Sequence, residues 1–237
     1  MQKNSVAILI PVYNNPLTIQ KVITDALLLN IRVIVVDDGS EIEVSSIVEV
    51  NNHLLTIVRH KENSGKGEAL LTGIKEAKEQ GFKFVIAIDG DGQHYPKEAL
   101  LLMELIEDEA IIIGNRKFKK DVPISSKFGR TFSNFWIFME SGRWLNDTQS
   151  GFRLYPISIL ELNLKQSHYD FEIEVLVQHL WKKRVVKEVD IEVYYPPKGT
   201  RVSHFNKVTD NIRLSKLHSL LVFKNLLRLG TFGYYKG

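Results

Sequence analysis

The sequence predicts an α/β fold, a doubly wound layer built on a mostly parallel sheet. Three observations carry that prediction. Short β-branched runs alternate with helix-like segments through the first half of the chain. The runs are almost continuously apolar, as buried parallel strands are. Polar residues gather just after the runs, where ligands of such sheets bind.

The elements follow in order. Val6–Ile10, Ile31–Val36, Leu54–Val58, Phe84–Ile88 and Ile111–Ile113 read as strands. Leu17–Leu29, Glu43–Asn51, Gly67–Gln80 and Lys97–Glu107 read as the helices between them. Strand–helix alternation argues right-handed crossovers and helices on both faces. In the second half, Ser125–Met139 is helix-like and mixes basic with aromatic residues. Asp147–Tyr155 reads as a turn into a strand, Phe171–Lys183 as an amphipathic helix, and Val185–Tyr194 as a strand ended by Pro196-Pro197. Asn206–Leu229 reads as a basic, amphipathic helical extension. The expected organisation is one domain over residues 1–205, divided into halves at 1–115 and 116–205, followed by the segment 206–237.

Composition narrows the function. The chain has 237 residues, 44% hydrophobic and 25% charged, which excludes disordered and collagen-like classes. It contains no cysteine, so disulfides, thiolate metal sites and cysteine nucleophiles are excluded. A net charge of +3 hides an asymmetry. Residues 1–115 carry 10 Lys/Arg against 17 Asp/Glu, and residues 116–237 carry 21 against 11. The basic half is expected to meet something anionic. No leader is visible at the N-terminus. No apolar stretch reaches the roughly 18–20 residues that span a bilayer. Any contact with a membrane is expected to be peripheral, at its cytoplasmic face. No nucleic-acid motif accompanies the basic half.

Asp89-Gly90-Asp91 is the sharpest motif. Two carboxylates at a strand end can share a hard divalent cation that neutralises a diphosphate leaving group. A turn rich in Asp and Gly for its geometry alone is the alternative. Gln93 and His94 follow within reach, and Asp37-Asp38 is expected on the same rim. Crowded carboxylates are costly without a cation or polar ligand. Asn63-Ser64-Gly65-Lys66-Gly67 lacks the spacing of a nucleotide-triphosphate loop, and no dinucleotide fingerprint follows the first strand. Arg116, Lys117, Lys119, Lys120, Lys127 and Arg130 form a basic run, read either as phosphate-binding or as a solvated loop. Asp147-Thr148-Gln149-Ser150-Gly151-Phe152-Arg153 reads as an acid that deprotonates an acceptor or as a structural Asp–Arg turn. Glu172 and Glu174 are read as one buried partner and one solvated residue. Arg201-Val202-Ser203-His204-Phe205 suits a mobile phosphate-contacting flap or an ordinary exposed loop.

Taken in order, Pro11-Val12-Tyr13-Asn14, Asp37-Asp38-Gly39-Ser40, Asn63-Ser64-Gly65-Lys66-Gly67, Asp89-Gly90-Asp91-Gly92-Gln93-His94-Tyr95-Pro96 and Asp147–Arg153 resemble family 2 glycosyltransferases of the GT-A fold. Within that family they are most similar to the dolichyl- and polyprenyl-phosphate mannosyl- and glucosyltransferases, over about residues 5–205. The resemblance implies an inverting transfer of a hexose from a GDP- or UDP-linked sugar to a lipid acceptor. That acceptor is expected to be a polyprenyl phosphate, or else a glycolipid or polysaccharide hydroxyl.

The resemblance also implies roles. Pro11, Tyr13, Asn14 and Asp38 would line the nucleoside pocket, and Gly65 and Lys66 would close it. Asp89, Gly90, Asp91 and Gln93 would face the donor diphosphate, with Asp89, Asp91 and Gln93 holding Mg²⁺ or Mn²⁺. Arg116, Arg130, Ser133 and Arg153 would grip phosphates of donor or acceptor. Asp147 would stand near the acceptor, and Arg201 and Ser203 would close over the donor. Three departures stand out: Asn15 replaces an acid, the Arg201–Phe205 loop differs, and the C-terminal membrane helices of larger members are absent. A nucleotidyltransferase is disfavoured because Pro11–Asn15 is not a glycine-rich basic loop. A non-catalytic module that binds nucleotide sugars or anionic lipid is disfavoured by the intact Asp89-Gly90-Asp91.

Overall fold

The computed structural model describes residues 3–49, 52–117, 124–168, 170–194 and 209–234. Seven strands form one sheet: β1 (Val6–Val12), β2 (Arg32–Asp37), β3 (Leu55–Arg59), β4 (Phe84–Ala87), β5 (Ile111–Arg116), β6 (Arg153–Pro156) and β7 (Val186–Ile191). Their order is β3-β2-β1-β4-β6-β5-β7. β6 runs antiparallel to both neighbours, and every other described pairing is parallel. The helices are α1 (Ile19–Leu27), α2 (Val44–Ile47), α3 (Lys66–Glu79), α4 (Ala99–Glu104), α5 (Ile124–Ser141), α6 (Phe171–Trp181) and α7 (Thr209–Tyr234).

Buried side chains divide into two cores, one on each face of the sheet. Leu70, Ile74, Ile137, Phe171 and Leu217 carry α3, α5, α6 and α7 on one face. Val22, Ile23, Val44 and Leu102 carry α1, α2 and α4 on the other. The continuous apolar runs follow from this, because each central strand is covered on both sides. All of β1 is buried.

The chain winds outward from β1 to β2 and β3, then crosses back to place β4 on the other side of β1. Such a reversal opens a crevice at the carboxyl ends of β1 and β4. Asn14 leaves β1 there, and Asp89 leaves β4 there.

Three expectations are corrected. The helix expected over Glu43–Asn51 is a single turn at Val44–Ile47, after which Val48 is extended. β-branched Val44 and Ile47 and two serines give it little propensity. The segment expected at Lys97–Glu107 splits into a 3₁₀ turn at Pro96–Glu98 and the short α4. Gly114-Asn115-Arg116 lies inside β5 rather than beyond it, because β7 pairs with β5 as far as Arg116 opposite Ile191.

Candidate active site

The Asp89-Gly90-Asp91 turn sits in the crevice and is held from several sides. Thr18 donates its hydroxyl to the Gly90 carbonyl at 2.7 Å. The Gln93 backbone N–H donates to Asp91 Oδ1 at 3.0 Å, and its side-chain amide donates to Asp91 Oδ2. His94 pairs with Val193, stitching the turn to the chain leaving β7. The His94 ring packs 5.2 Å from that of Phe152.

Asp89 faces a cation supplied by the protein. Lys66 Nζ, at the first position of α3, lies 2.7 Å from Asp89 Oδ1 and 3.2 Å from Glu172 Oε1. Burial pushes the Asp89 carboxyl up, but the Lys66 ammonium, then His94 and Arg116, outweigh it and hold the carboxyl down at about 2. The same burial lowers His94 to about 4, so its ring is neutral at pH 7.

The turn that ends at β6 closes on this group. A Cβ on Gly151 would lie 2.6 Å from Asp89 Oδ2 and 2.7 Å from Lys66 Nζ, so a side chain there would displace the ends of both residues. Gly65 is more strictly constrained: its φ is +100°, and a Cβ would meet the Ser167 backbone carbonyl at 2.4 Å. These glycines let two loops press against the carboxylate.

Arg116, at the end of β5, forms a two-pronged pair with Asp147. Its Nε donates to Oδ2 and its Nη2 to Oδ1, each at 2.8 Å, and its backbone N–H adds a bond at 3.1 Å. Arg130 Nη2 lies 3.5 Å from the same carboxylate and donates to the Arg116 carbonyl at 2.8 Å. Asp147 is completely buried. Burial would raise its pKa, yet the Arg116 bonds and charge, then Arg130, carry it below the ordinary 3.8. A buried carboxylate with both oxygens occupied and a depressed pKa is a poor proton acceptor. Its work in this geometry is to orient Arg116, whose side chain is about a quarter exposed.

Several other expected site residues are turned inward. Asp38 accepts from the backbone N–H groups of Ser64 and Gly65, each at 2.9 Å, and lies 2.7 Å from His60 Nδ1. Its carboxylate therefore anchors the Gly65 loop. Asp37 is tied to Ser40, Val44 and Arg59. The expected crowding of four carboxylates is thus relieved by His60, Arg59 and backbone donors at the Asp37-Asp38 end. Arg153 is fully buried and donates to the carbonyls of Ser150, Thr148 and Glu172 at 2.6, 2.7 and 2.9 Å. Its guanidinium shapes the turn, with all three nitrogens engaged by backbone carbonyls. Ser133 is buried and accepts from the Thr148 hydroxyl at 2.9 Å. Glu172 and Glu174 are both buried, which corrects the expectation of one solvated residue. Glu174 accepts from the backbone N–H groups of Lys165 and Gln166 at 2.8 and 2.9 Å.

Pro11 lies within β1. Tyr13 follows it. Asn14, at φ 49°, donates its backbone N–H to Ser40 Oγ and accepts from the Glu41 N–H. With Pro16, Glu41 and Ile42 it lines a shallow open cleft. Arg201 and Ser203 lie outside the described residues, as do Lys119 and Lys120. Glu172 is the site residue that sequence reasoning missed. Only the Phe-Glu-x-Glu spacing at the start of a helix marked it.

The donor set fits a shared cation. Among the described residues no cluster of three His, Cys, Asp or Glu could hold a metal alone. Two carboxylates and an amide match a hard cation that completes its shell on substrate phosphates.

Comparison with known proteins agrees. The chain is 28% identical over 250 residues to the UDP-N-acetylglucosamine–dolichyl-phosphate N-acetylglucosaminyltransferase of Methanococcus voltae, covering 93% of this chain and 100% of that protein. It is 25% identical over 201 residues to the undecaprenyl-phosphate 4-deoxy-4-formamido-L-arabinose transferase of Photorhabdus laumondii, covering 80% of this chain and 60% of that one. Glucosyl-3-phosphoglycerate synthase of Mycobacterium tuberculosis, solved with Mn²⁺, UDP and phosphoglyceric acid, superposes with a TM-score of 0.67 at 17% identity. It covers 93% of this chain and 78% of that one, which confirms the GT-A fold. The family model for glycosyl transferase family 2 matches residues 7–162, and the chain belongs to that family of glycosyltransferases.

Proposed function

We propose that this enzyme moves a hexose, with inversion, from a GDP- or UDP-linked donor to a polyprenyl phosphate, and that it works at the inner face of a membrane. One observation carries the choice of acceptor: Asp147, the acid nearest Arg116, is buried and fully engaged. A hydroxyl acceptor needs a base, whereas a phosphate monoester is already ionised near pH 7. The relatives named for dolichyl and undecaprenyl phosphate support the same acceptor class.

The roles follow from position. Asp89 and Asp91, with Asp91 steadied by Gln93, would hold Mg²⁺ or Mn²⁺. That cation supplies the charge that stabilises a departing nucleoside diphosphate. Arg116, oriented by Asp147 and flanked by Arg130, meets phosphate with a planar, two-pronged donor. Asn14 and the cleft beside it receive the nucleoside.

The membrane placement rests on α5 and α7. Phe132, Phe135, Phe138 and Met139 on α5 are exposed, as are Leu220, Phe223, Leu226 and Leu227 on α7. Large exposed apolar patches mark interaction surfaces. Lys216 on α7 is also exposed, which suits an anionic lipid surface. No helix among the described residues is long and apolar enough to cross a membrane. α5 also carries Arg130, so the apolar face and one of the two arginines assigned to phosphate share an element.

The test is a panel of UDP- and GDP-sugars with Mn²⁺, with and without polyprenyl phosphate, beginning with UDP-N-acetylglucosamine. Release of one nucleoside diphosphate, stimulated by the lipid and lost with chelator, is expected. Absence of release from every donor would favour a non-catalytic binding module.

A further inference from the structure

The Lys66 ammonium sits on one oxygen of the carboxylate that the proposed function gives to a divalent cation. It lies 2.7 Å from Asp89 Oδ1, while Glu172 Oε1 waits 3.2 Å away on its other side. An ammonium and a divalent cation on one carboxylate repel each other, so each competes with the other for Asp89. Glu172 is held to receive the ammonium. It stands in the first turn of α6, its side chain is 8% exposed, and its carbonyl accepts from Arg153 Nη1 at 2.9 Å. Gly151 walls in the Lys66 Nζ, since a Cβ there would lie 2.7 Å from it. The ammonium therefore has two carboxylate seats within ion-pair distance, one of which is a cation ligand.

We infer that Glu172 is a positioning residue that gives Lys66 a second seat and so releases Asp89 to a divalent cation. The inference rests on the reading of Asp89 as a cation ligand. Before the cation arrives, Lys66 neutralises Asp89 and keeps the turn ordered. When it arrives, Lys66 leans to Glu172 by side-chain rotation alone. The charge of the group then favours a cation, because two carboxylates face one ammonium. With a neutral residue at position 172, Lys66 loses the Glu172 charge and competes harder for Asp89.

The experiment is Mn²⁺ binding to the full chain in the presence of UDP or GDP, read from the electron paramagnetic resonance signal of free Mn²⁺ against a protein-free control with the same nucleotide. Glu172→Gln is expected to weaken binding several-fold, and Lys66→Met to tighten it. In the Lys66→Met background the Glu172→Gln change is expected to weaken binding less. Equal or greater weakening there would show that Glu172 acts by charge alone and overturn the inference. Should Glu172→Gln fail to melt cooperatively, Glu172→Asp keeps the charge but withdraws it by one methylene. It is expected to weaken binding in the same way, and wild-type affinity in that variant would also overturn the inference. If neither the wild type nor Lys66→Met binds Mn²⁺ with UDP or with GDP beyond the nucleotide control, the cation reading of Asp89 falls and the inference with it.

Discussion

At the scale of single residues, the pair formed by Arg116 and Asp147 separates two chemistries. An acid that orients a guanidinium should matter for a phosphate acceptor as much as for any other. Asp147→Asn is therefore expected to lower kcat/KM for polyprenyl phosphate by about 10²-fold, the order that small misplacements cost. Unchanged kinetics would remove Asp147 from the site. The same carboxylate predicts a pH effect. Its folded pKa lies below 3.8, so its stabilising contribution is complete above 3.8 and is lost as pH falls further. Asp147→Asn should flatten the acid limb of a stability–pH curve below that value, as followed by thermal melting. Gly151→Ala places a methyl against Asp89 and Lys66 and should abolish transfer while the protein still melts cooperatively. Residue roles were only partly legible in the sequence. The candidates Asp89 and Asp91 stood out because two carboxylates flank a glycine at a strand end. The inward turn of Asp38, Arg153 and Ser133 could not, because it depends on His60, on backbone carbonyls and on Thr148, which approach only in the folded chain.

At the scale of elements, β1, β2, β4 and β5 were legible because strands covered on both faces read as unbroken apolar runs, and the half-buried edge strand β3 was legible from its β-branched Thr-Ile-Val. α2 was not, since a single turn has too few residues to show a period. The antiparallel insertion of β6 between β4 and β5 was equally hidden, because pairing partners distant in sequence leave no local trace. The faces of α5 and α7 make a separate prediction. Replacing Phe135 and Phe223 by Ser should weaken binding to vesicles of anionic phospholipid, measured by co-sedimentation. It should leave nucleotide-sugar hydrolysis in solution unaltered. Unchanged sedimentation would move the membrane contact elsewhere. α7 is fastened to α5 from within: His218 Nδ1 lies 2.6 Å from Glu140 Oε1, and the His218 ring stacks on Trp136 at 5.5 Å.

At the scale of the whole molecule, the acidic first half builds the Asp89 rim, and the basic second half brings Arg116 and Arg130 to it. The charge asymmetry read from the sequence thus becomes a site with an acidic bank and a basic bank. Two buried histidines set its acid tolerance. His94 and His179 are each lowered to about 4 from 6.5, chiefly by burial. The unfolded chain binds their protons first, so stability is complete above 6.5 and declines as pH falls toward 4. The melting temperature should drop across that window, and a level profile would contradict the neutral, buried rings. The central claim is that the acceptor arrives already ionised and needs no protein base. It is tested most directly by offering the enzyme, its donor and Mn²⁺ a polyprenyl phosphate beside the corresponding polyprenol. Transfer to the phosphate alone is predicted, and transfer to the alcohol at a comparable rate would contradict the account.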